Sequence, residues 1–132
     1  MKSSLVLLIA LAAPALAQDA DVPAPLDPAA FADAVAACTP ATRREPHPFI
    51  KGFEIEHAVT GESDGRCDYG QTMPGGMHMQ CRLGEAGRAS LAEEFREQAA
   101  GRMQGGTGQQ PAWTRDCEII TADGKRLPMQ GG

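Results

Sequence analysis

The feature of this 132-residue sequence that most restricts its fold is a set of four cysteines: Cys38, Cys67, Cys81 and Cys117. An even number of cysteines in a short exported chain is typical of a disulfide framework, because an oxidising compartment favours bridges and a small core gains from covalent restraint. The cysteines lack the close pairwise spacing of a zinc site. We therefore predict two disulfides and no free thiol.

The N-terminal segment indicates export. A basic residue, Lys2, precedes an apolar run over residues 5–13, and the small residues Ala15 and Ala17 follow. The run is too short to cross a bilayer, and its order is that of a cleaved secretory signal. We expect a periplasmic or secreted protein without stable membrane insertion. The expected organisation is a signal peptide over residues 1–17, an extended tether over residues 18–26 and one domain over residues 27–132.

The charge of the chain argues against two classes of partner. The formal net charge is −5, which disfavours attraction to nucleic acid and to anionic lipid surfaces. The longest basic runs are pairs such as Arg43-Arg44, and pairs of this kind are usually solvated surface. We expect no nucleic-acid partner.

Helical spacing marks two segments. Asp27 can cap a helix that has Pro28 at its first position and an apolar stripe reaching Cys38. A longer amphipathic helix is predicted over residues 85–103. The proline-containing segment of residues 42–49 is predicted to be an irregular approach to the next element, and residues 105–110 a glycine-rich loop.

Alternating segments indicate strands. Residues 49–60, 67–73 and 77–83 should form a three-strand meander, since turn residues separate them and their apolar residues alternate. A last strand is predicted over residues 113–121, with residues 125–127 as a short edge strand. The predicted fold is α+β: an antiparallel sheet of four to five strands in the order helix, three-strand meander, helix, one or two strands, with two helices packed on one face.

The predicted hairpin favours one disulfide pairing. Cys67 and Cys81 lie on facing strands, directly opposite or one diagonal step apart. We therefore predict a Cys67–Cys81 bridge. The two cysteines that remain would then form a Cys38–Cys117 bridge. The second bridge would close the longer loop and contribute more stability.

The stretch from Met73 to Cys81, MPGGMHMQC, carries soft-metal ligands. On a regular strand the methionines share a face with Tyr69 while His78 points the other way, so packing in the core is the favoured interpretation and no cofactor is expected. The alternative is a periplasmic copper-binding protein, because thioethers suit Cu(I). Its ligands would be Met73, Met77, His78 and Met79.

The sequence contains no catalytic signature. His57 shares the parity of Ile55 and Val59, which indicates a hydrogen-bonded core histidine or a strand-end residue more than a catalytic base. His47, between two prolines, is interpreted as a connector. The nucleophile elbow and the zinc-protease motif are both absent. We predict no catalytic residue, and an enzyme is the less favoured class.

These observations favour a small, disulfide-braced binding or accessory protein of the bacterial envelope, whose partner is an envelope protein or a small ligand. If both helices cover one face of the sheet, the polar face is the natural binding surface. Its predicted residues are Glu54, Glu56, Asp68, Thr72, His78, Gln80 and Arg82.

Overall fold

The computed structural model describes residues 24–102 and 110–129. The predicted signal peptide, most of the predicted tether, Met103 and nearly all of the glycine-rich loop lie outside these residues. Among the described helices, none combines the length and the apolar character that crossing a membrane requires.

In the described part of the chain, two helices and six strands follow one another. The helices are α1 (Pro28–Ala37) and α2 (Glu85–Ala99). The strands are β1 (Ala41–Pro46), β2 (Glu54–Ser63), β3 (Arg66–Thr72), β4 (His78–Leu83), β5 (Cys117–Ile120) and β6 (Arg126–Pro128). All neighbours are antiparallel, and the sheet order is the chain order. The predicted α+β class is confirmed.

The sheet has six strands, one more than the upper number predicted. The additional strand is β1, in the segment predicted to be irregular. Its register places Arg43 opposite His57 and Pro46 opposite Glu54. A proline is compatible with this strand because β1 is an edge strand and Pro46 is its last residue.

Helix α1 begins as the local sequence predicts and ends at Ala37, one residue before the end of the predicted stripe. The Asp27 carboxylate accepts a hydrogen bond of 2.8 Å from the backbone N–H of Ala30, and Pro28 occupies the first turn. Cys38 follows the helix in the left-handed conformation, with φ of 52°. Phe31 and Val35 are fully buried, which confirms the apolar stripe.

Helix α2 ends at Ala99, four residues before the predicted end, and Gly101 then adopts a positive φ. The predicted strand over residues 113–121 is also shorter. A 3₁₀ turn, Ala112–Asp116, precedes β5, because the backbone N–H and the hydroxyl of Thr114 both donate to the carbonyl of Pro111.

Both helices pack against the same face of the sheet. The ring of Phe31 from α1 meets the ring of Phe95 from α2 edge to face, with centroids 4.8 Å apart. Beneath them, β3 and β4 contribute the fully buried side chains of Cys67, Cys81 and Leu83. Within residues 24–102 and 110–129 the opposite face of the sheet carries no helix, so this part of the chain has two layers and one core.

The predicted disulfide pairing is wrong. The bridges are Cys38–Cys67 and Cys81–Cys117. The register of β3 and β4 places Cys81 opposite Tyr69, so Cys67 lies a diagonal step away. Cys81 instead lies directly opposite Cys117, with a Cα–Cα distance of 4.0 Å. Directly opposed side chains are closer than diagonal ones, and this difference decides the pairing.

Candidate functional site

The predicted binding-surface residues lie together on the uncovered face of the sheet. On β3 and β4, Thr72 pairs with His78 and Asp68 pairs with Arg82, so the two strands present a continuous polar strip. Glu56 of β2 is hydrogen-bonded to this strip, since its backbone N–H donates to the Thr72 hydroxyl over 2.8 Å.

The centre of this face is a shallow depression of about 620 Å³. Its floor is formed by two small residues on adjacent strands, Ala58 and Gly70, which pair in the register of β2 and β3. Phe53 and Met77 contribute apolar surface to its wall. Five of the predicted surface residues also line it: Glu56, Asp68, Thr72, His78 and Gln80.

Ion pairs surround the depression. The Arg44 guanidinium lies 3.2 Å from the Glu56 carboxylate, and the Arg82 guanidinium lies 3.7 Å from the Asp68 carboxylate. These charges are neutralised within the sheet face itself. The depression therefore combines an apolar centre with a charged but locally balanced rim.

The structure places Met79 apart from the other candidate copper ligands. Met79 is 4% exposed and belongs to the core, whereas His78 is exposed on the opposite face. Met73 packs partly against the core. The hairpin end is irregular, with a 3₁₀ turn at Pro74–Gly76, and Met73, Met77 and His78 all line the depression.

A second cluster, which the sequence did not reveal as a cluster, lies on the helix-covered face. His57 Nε2 is 2.9 Å from Glu45 Oε1, and His57 Nδ1 is 2.7 Å from the Tyr69 hydroxyl. The other carboxylate oxygen of Glu45 accepts from Arg43 over 3.0 Å and from the side-chain amide of Gln98. The predicted interpretation of His57 as a hydrogen-bonded core histidine is confirmed, since the residue is 4% exposed.

The protonation of this cluster follows from its contacts. Burial lowers the pKa of His57 below the ordinary value of 6.5, and the Glu45 carboxylate opposes this only in part. A neutral imidazole then donates its Nε2–H to Glu45 and accepts a hydrogen bond from the Tyr69 hydroxyl at Nδ1. Burial also raises the pKa of Tyr69 far above 10, so the phenol keeps its own proton.

Glu45 is charged in the cluster. Burial alone would raise the pKa of its carboxyl, but hydrogen bonds from His57 and Gln98 outweigh burial and hold the pKa below the ordinary value of 4.5. Both ring nitrogens of His57 are thus occupied by protein partners. A histidine in this state fixes the positions of β1, β2 and β3, and has no free nitrogen with which to act as a base.

The neighbouring cleft is lined by part of this cluster and opens between α2 and the sheet, with a volume of about 600 Å³. Its walls include Phe95 and Trp113. The indole N–H of Trp113 donates to the Glu94 carboxylate over 2.6 Å. The sequence signal for Glu94 was its position on α2 beside the apolar stripe, which by itself predicts only an exposed residue.

The connection between β1 and β2 is held in shape by hydrogen bonds to the side chain of His47. His47 Nδ1 accepts the backbone N–H groups of Phe49 and Ile50 over 3.1 and 3.0 Å. The Phe49 side chain is 91% exposed at the tip of this loop. His47 therefore shapes a loop that presents an aromatic side chain to solvent.

Comparison of the chain with protein-family models, with curated proteins and with solved structures found no match. Its function is therefore inferred from the geometry of these sites.

Proposed function

We propose that this protein is an exported binding protein of the bacterial envelope, periplasmic or secreted, that docks another envelope protein through the uncovered face of its sheet. The observation that carries the proposal is the depression over Ala58 and Gly70. Its apolar centre and polar rim have the arrangement of a protein–protein interface. The signal peptide predicted from the sequence and the two disulfides support a location outside the cytoplasm.

The charges of the face favour a protein partner over a polyanion. The rim cations Arg44 and Arg82 already have carboxylate partners, so they offer little free positive charge to phosphate groups. Internally paired rim charges contribute little to affinity. Binding energy should come from the apolar centre, as it does in many interfaces.

Gly70 allows a sharp test. A Cβ at this position would meet only the Met79 carbonyl oxygen, at an ordinary 3.6 Å, and its φ is not positive. A long side chain in place of Gly70 therefore fills the depression without backbone strain. The matched control is Ala29→Arg, which adds the same side chain at an exposed position of α1.

The experiment compares chemical cross-linking of the exported protein in its native envelope for the unsubstituted chain, Gly70→Arg and Ala29→Arg. The proposal predicts one cross-linked product that the unsubstituted chain and Ala29→Arg share and that Gly70→Arg loses. If Gly70→Arg, folded as judged by circular dichroism, keeps the same product, the uncovered face is not the docking surface.

The second candidate function is Cu(I) binding at one end of the same depression. It is supported by the irregular turn at Pro74–Gly76 and by the position of Met73, Met77 and His78 around the depression. Leucine keeps the volume of methionine but lacks the thioether. Cu(I) bound to the native protein should be lost in Met73→Leu/Met77→Leu, and retention of the metal would exclude this site.

A further inference from the structure

The cleft between α2 and the sheet contains a carboxylate that no ion pair neutralises. Glu94 lies half-buried on α2, and its Oε2 accepts the Trp113 indole N–H over 2.6 Å. Within residues 24–102 and 110–129, no Lys, Arg or His nitrogen lies within ion-pair distance of Glu94. Apart from Lys2, every Lys and Arg of the chain falls in those ranges.

The nearby cations are already engaged. Arg102, which also lines the cleft, lies against Glu97, with its Nη2 donating over 2.9 Å. Arg43 donates to Glu45 on the other side of the cluster. The Glu94 carboxylate therefore contributes an unbalanced negative charge to the cleft.

The walls around Glu94 are mainly apolar and aromatic. Trp113 is held beside the carboxylate by its indole N–H, and Leu91 and Phe95 extend the apolar surface along α2. Across the cleft, Pro46 and Ile55 form the opposite wall. A carboxylate next to an aromatic ring in an apolar cleft is the arrangement that binds organic cations.

We propose that this cleft is a second binding site, whose ligand is an organic cation: a protonated amine with an apolar body. The ammonium group would pair with Glu94, and the apolar body would contact Trp113 and Phe95. An anionic ligand would be repelled by Glu94, whose charge no cation of the described residues balances. A neutral ligand would cover the Glu94 carboxylate without balancing its charge, which costs free energy.

The chain contains its own reporter for this proposal, since Trp113 is its single tryptophan. The experiment is a fluorescence titration of the mature protein with phenethylammonium, and with 2-phenylethanol as the neutral probe of similar shape. We expect a saturable change in Trp113 emission with the ammonium probe and binding at least about tenfold weaker with the alcohol, because a charge-assisted contact distinguishes them.

Substitutions at two neighbouring positions of α2 distinguish the effect of a charge in the cleft from that of a charge on the helix surface. Glu94→Gln removes the charge but keeps an oxygen that accepts the Trp113 N–H, and Glu93→Gln makes the same change at an exposed position of α2. Glu94→Gln should weaken phenethylammonium binding about tenfold or more, and Glu93→Gln should not change it.

Three outcomes would overturn the proposal. The first is no saturable change in emission with the ammonium probe. The second is equal binding of the alcohol and the ammonium, which would mean that the cleft is only apolar. The third is unchanged binding in Glu94→Gln. The comparison of the two probes on the unsubstituted protein does not depend on either variant folding.

Discussion

At the scale of single residues, His57 is a buried side chain with a hydrogen-bond partner at each ring nitrogen. It is buried between Phe31 and Phe95, and its ring nitrogens contact Glu45 and Tyr69. A neutral histidine next to a charged glutamate makes the stability of the fold depend on pH. The direction of that dependence follows from the pKa directions of both groups.

Acidification should destabilise the protein in two steps. Since the pKa of His57 is below 6.5 in the folded state, the unfolded chain binds a proton first as the pH falls below 6.5. Protonation of Glu45 adds a second loss below pH 4.5. The free energy of unfolding should fall by up to about 1.4 kcal/mol per pH unit in the first step.

Urea unfolding between pH 8 and pH 5 measures this dependence. His57→Gln should remove the first step, and His78→Gln, at an exposed position, should keep it. A pH slope that is the same in both variants would show that His57 is not its source.

The Tyr69 hydroxyl should stabilise the fold chiefly by donating a hydrogen bond to the buried His57 imidazole. Tyr69→Phe leaves Nδ1 of a buried imidazole without a donor, so we expect a loss of about 1–3 kcal/mol in the free energy of unfolding. Replacing both partners in His57→Phe/Tyr69→Phe should cost less than the sum of the single changes. A urea-denaturation double-mutant cycle checks this, and strict additivity would contradict the contact.

The residues of this cluster differ in how far the sequence could predict them. The parity of β2 placed His57 on the apolar face, and the parity of β3 did the same for Tyr69. Glu45 could not be assigned to a face of the sheet, because the two prolines around His47 led to the prediction of an irregular segment where β1 lies. Alternation predicts a face, but the partner of a buried polar group depends on the register between strands.

At the scale of elements, the two helices begin in different ways. Asp27 caps α1 from the adjacent position, so the local sequence predicts the cap. The first turn of α2 depends on Asp116, whose carboxylate accepts the Gly84 N–H over 2.9 Å from 32 residues away. A cap supplied by tertiary structure has no local sequence signal.

Gly87 packs directly against this distant cap. A Cβ at Gly87 would overlap the Asp116 carboxylate, whereas a Cβ at Gly84 would meet the same carboxylate at an ordinary 3.7 Å. Alanine usually stabilises a helix interior relative to glycine by about 1 kcal/mol. We expect Gly87→Ala to destabilise the protein instead.

Thermal unfolding of Gly87→Ala and of the control Gly84→Ala tests this expectation. Gly84 is the N-cap of α2, where alanine is less favourable than glycine, so the melting temperature should fall for both variants but further for Gly87→Ala. A gain in melting temperature for Gly87→Ala would mean that Asp116 moves away without loss and does not hold the start of α2.

At the scale of the whole molecule, the number of disulfides could be predicted from the sequence, but their pairing could not. Cysteine count and compartment predicted two bridges, and alternation placed Cys67 and Cys81 on the core face. The pairing depended on which strand lies next to β5, and the local alternation pattern does not specify that neighbour. Because β5 pairs with β4, Cys81 is bonded to Cys117, and Cys67 is bonded to Cys38 at the end of α1.

Peptide mapping under non-reducing conditions checks the pairing. Trypsin leaves Cys67 and Cys81 on one peptide, residues 67–82, so the observed bridges should hold three tryptic peptides together. Cleavage after Met73 with cyanogen bromide should then divide this cluster into two disulfide-linked pairs. A peptide 67–82 that is released alone, with an internal bridge, would restore the pairing predicted from the sequence.

The order of the bridges divides the chain into two halves. Each bridge closes its own loop, and the Pro74–Gly76 turn lies between the loops. Among the residues that the structure describes, one helix, three strands and one disulfide lie on either side of that turn. A single cut there would leave two polypeptides with no covalent link, held by the pairing of β3 with β4 and the packing of α1 on α2. The protein is therefore suited to fragment complementation, with two separately oxidised pieces assembling into one sheet.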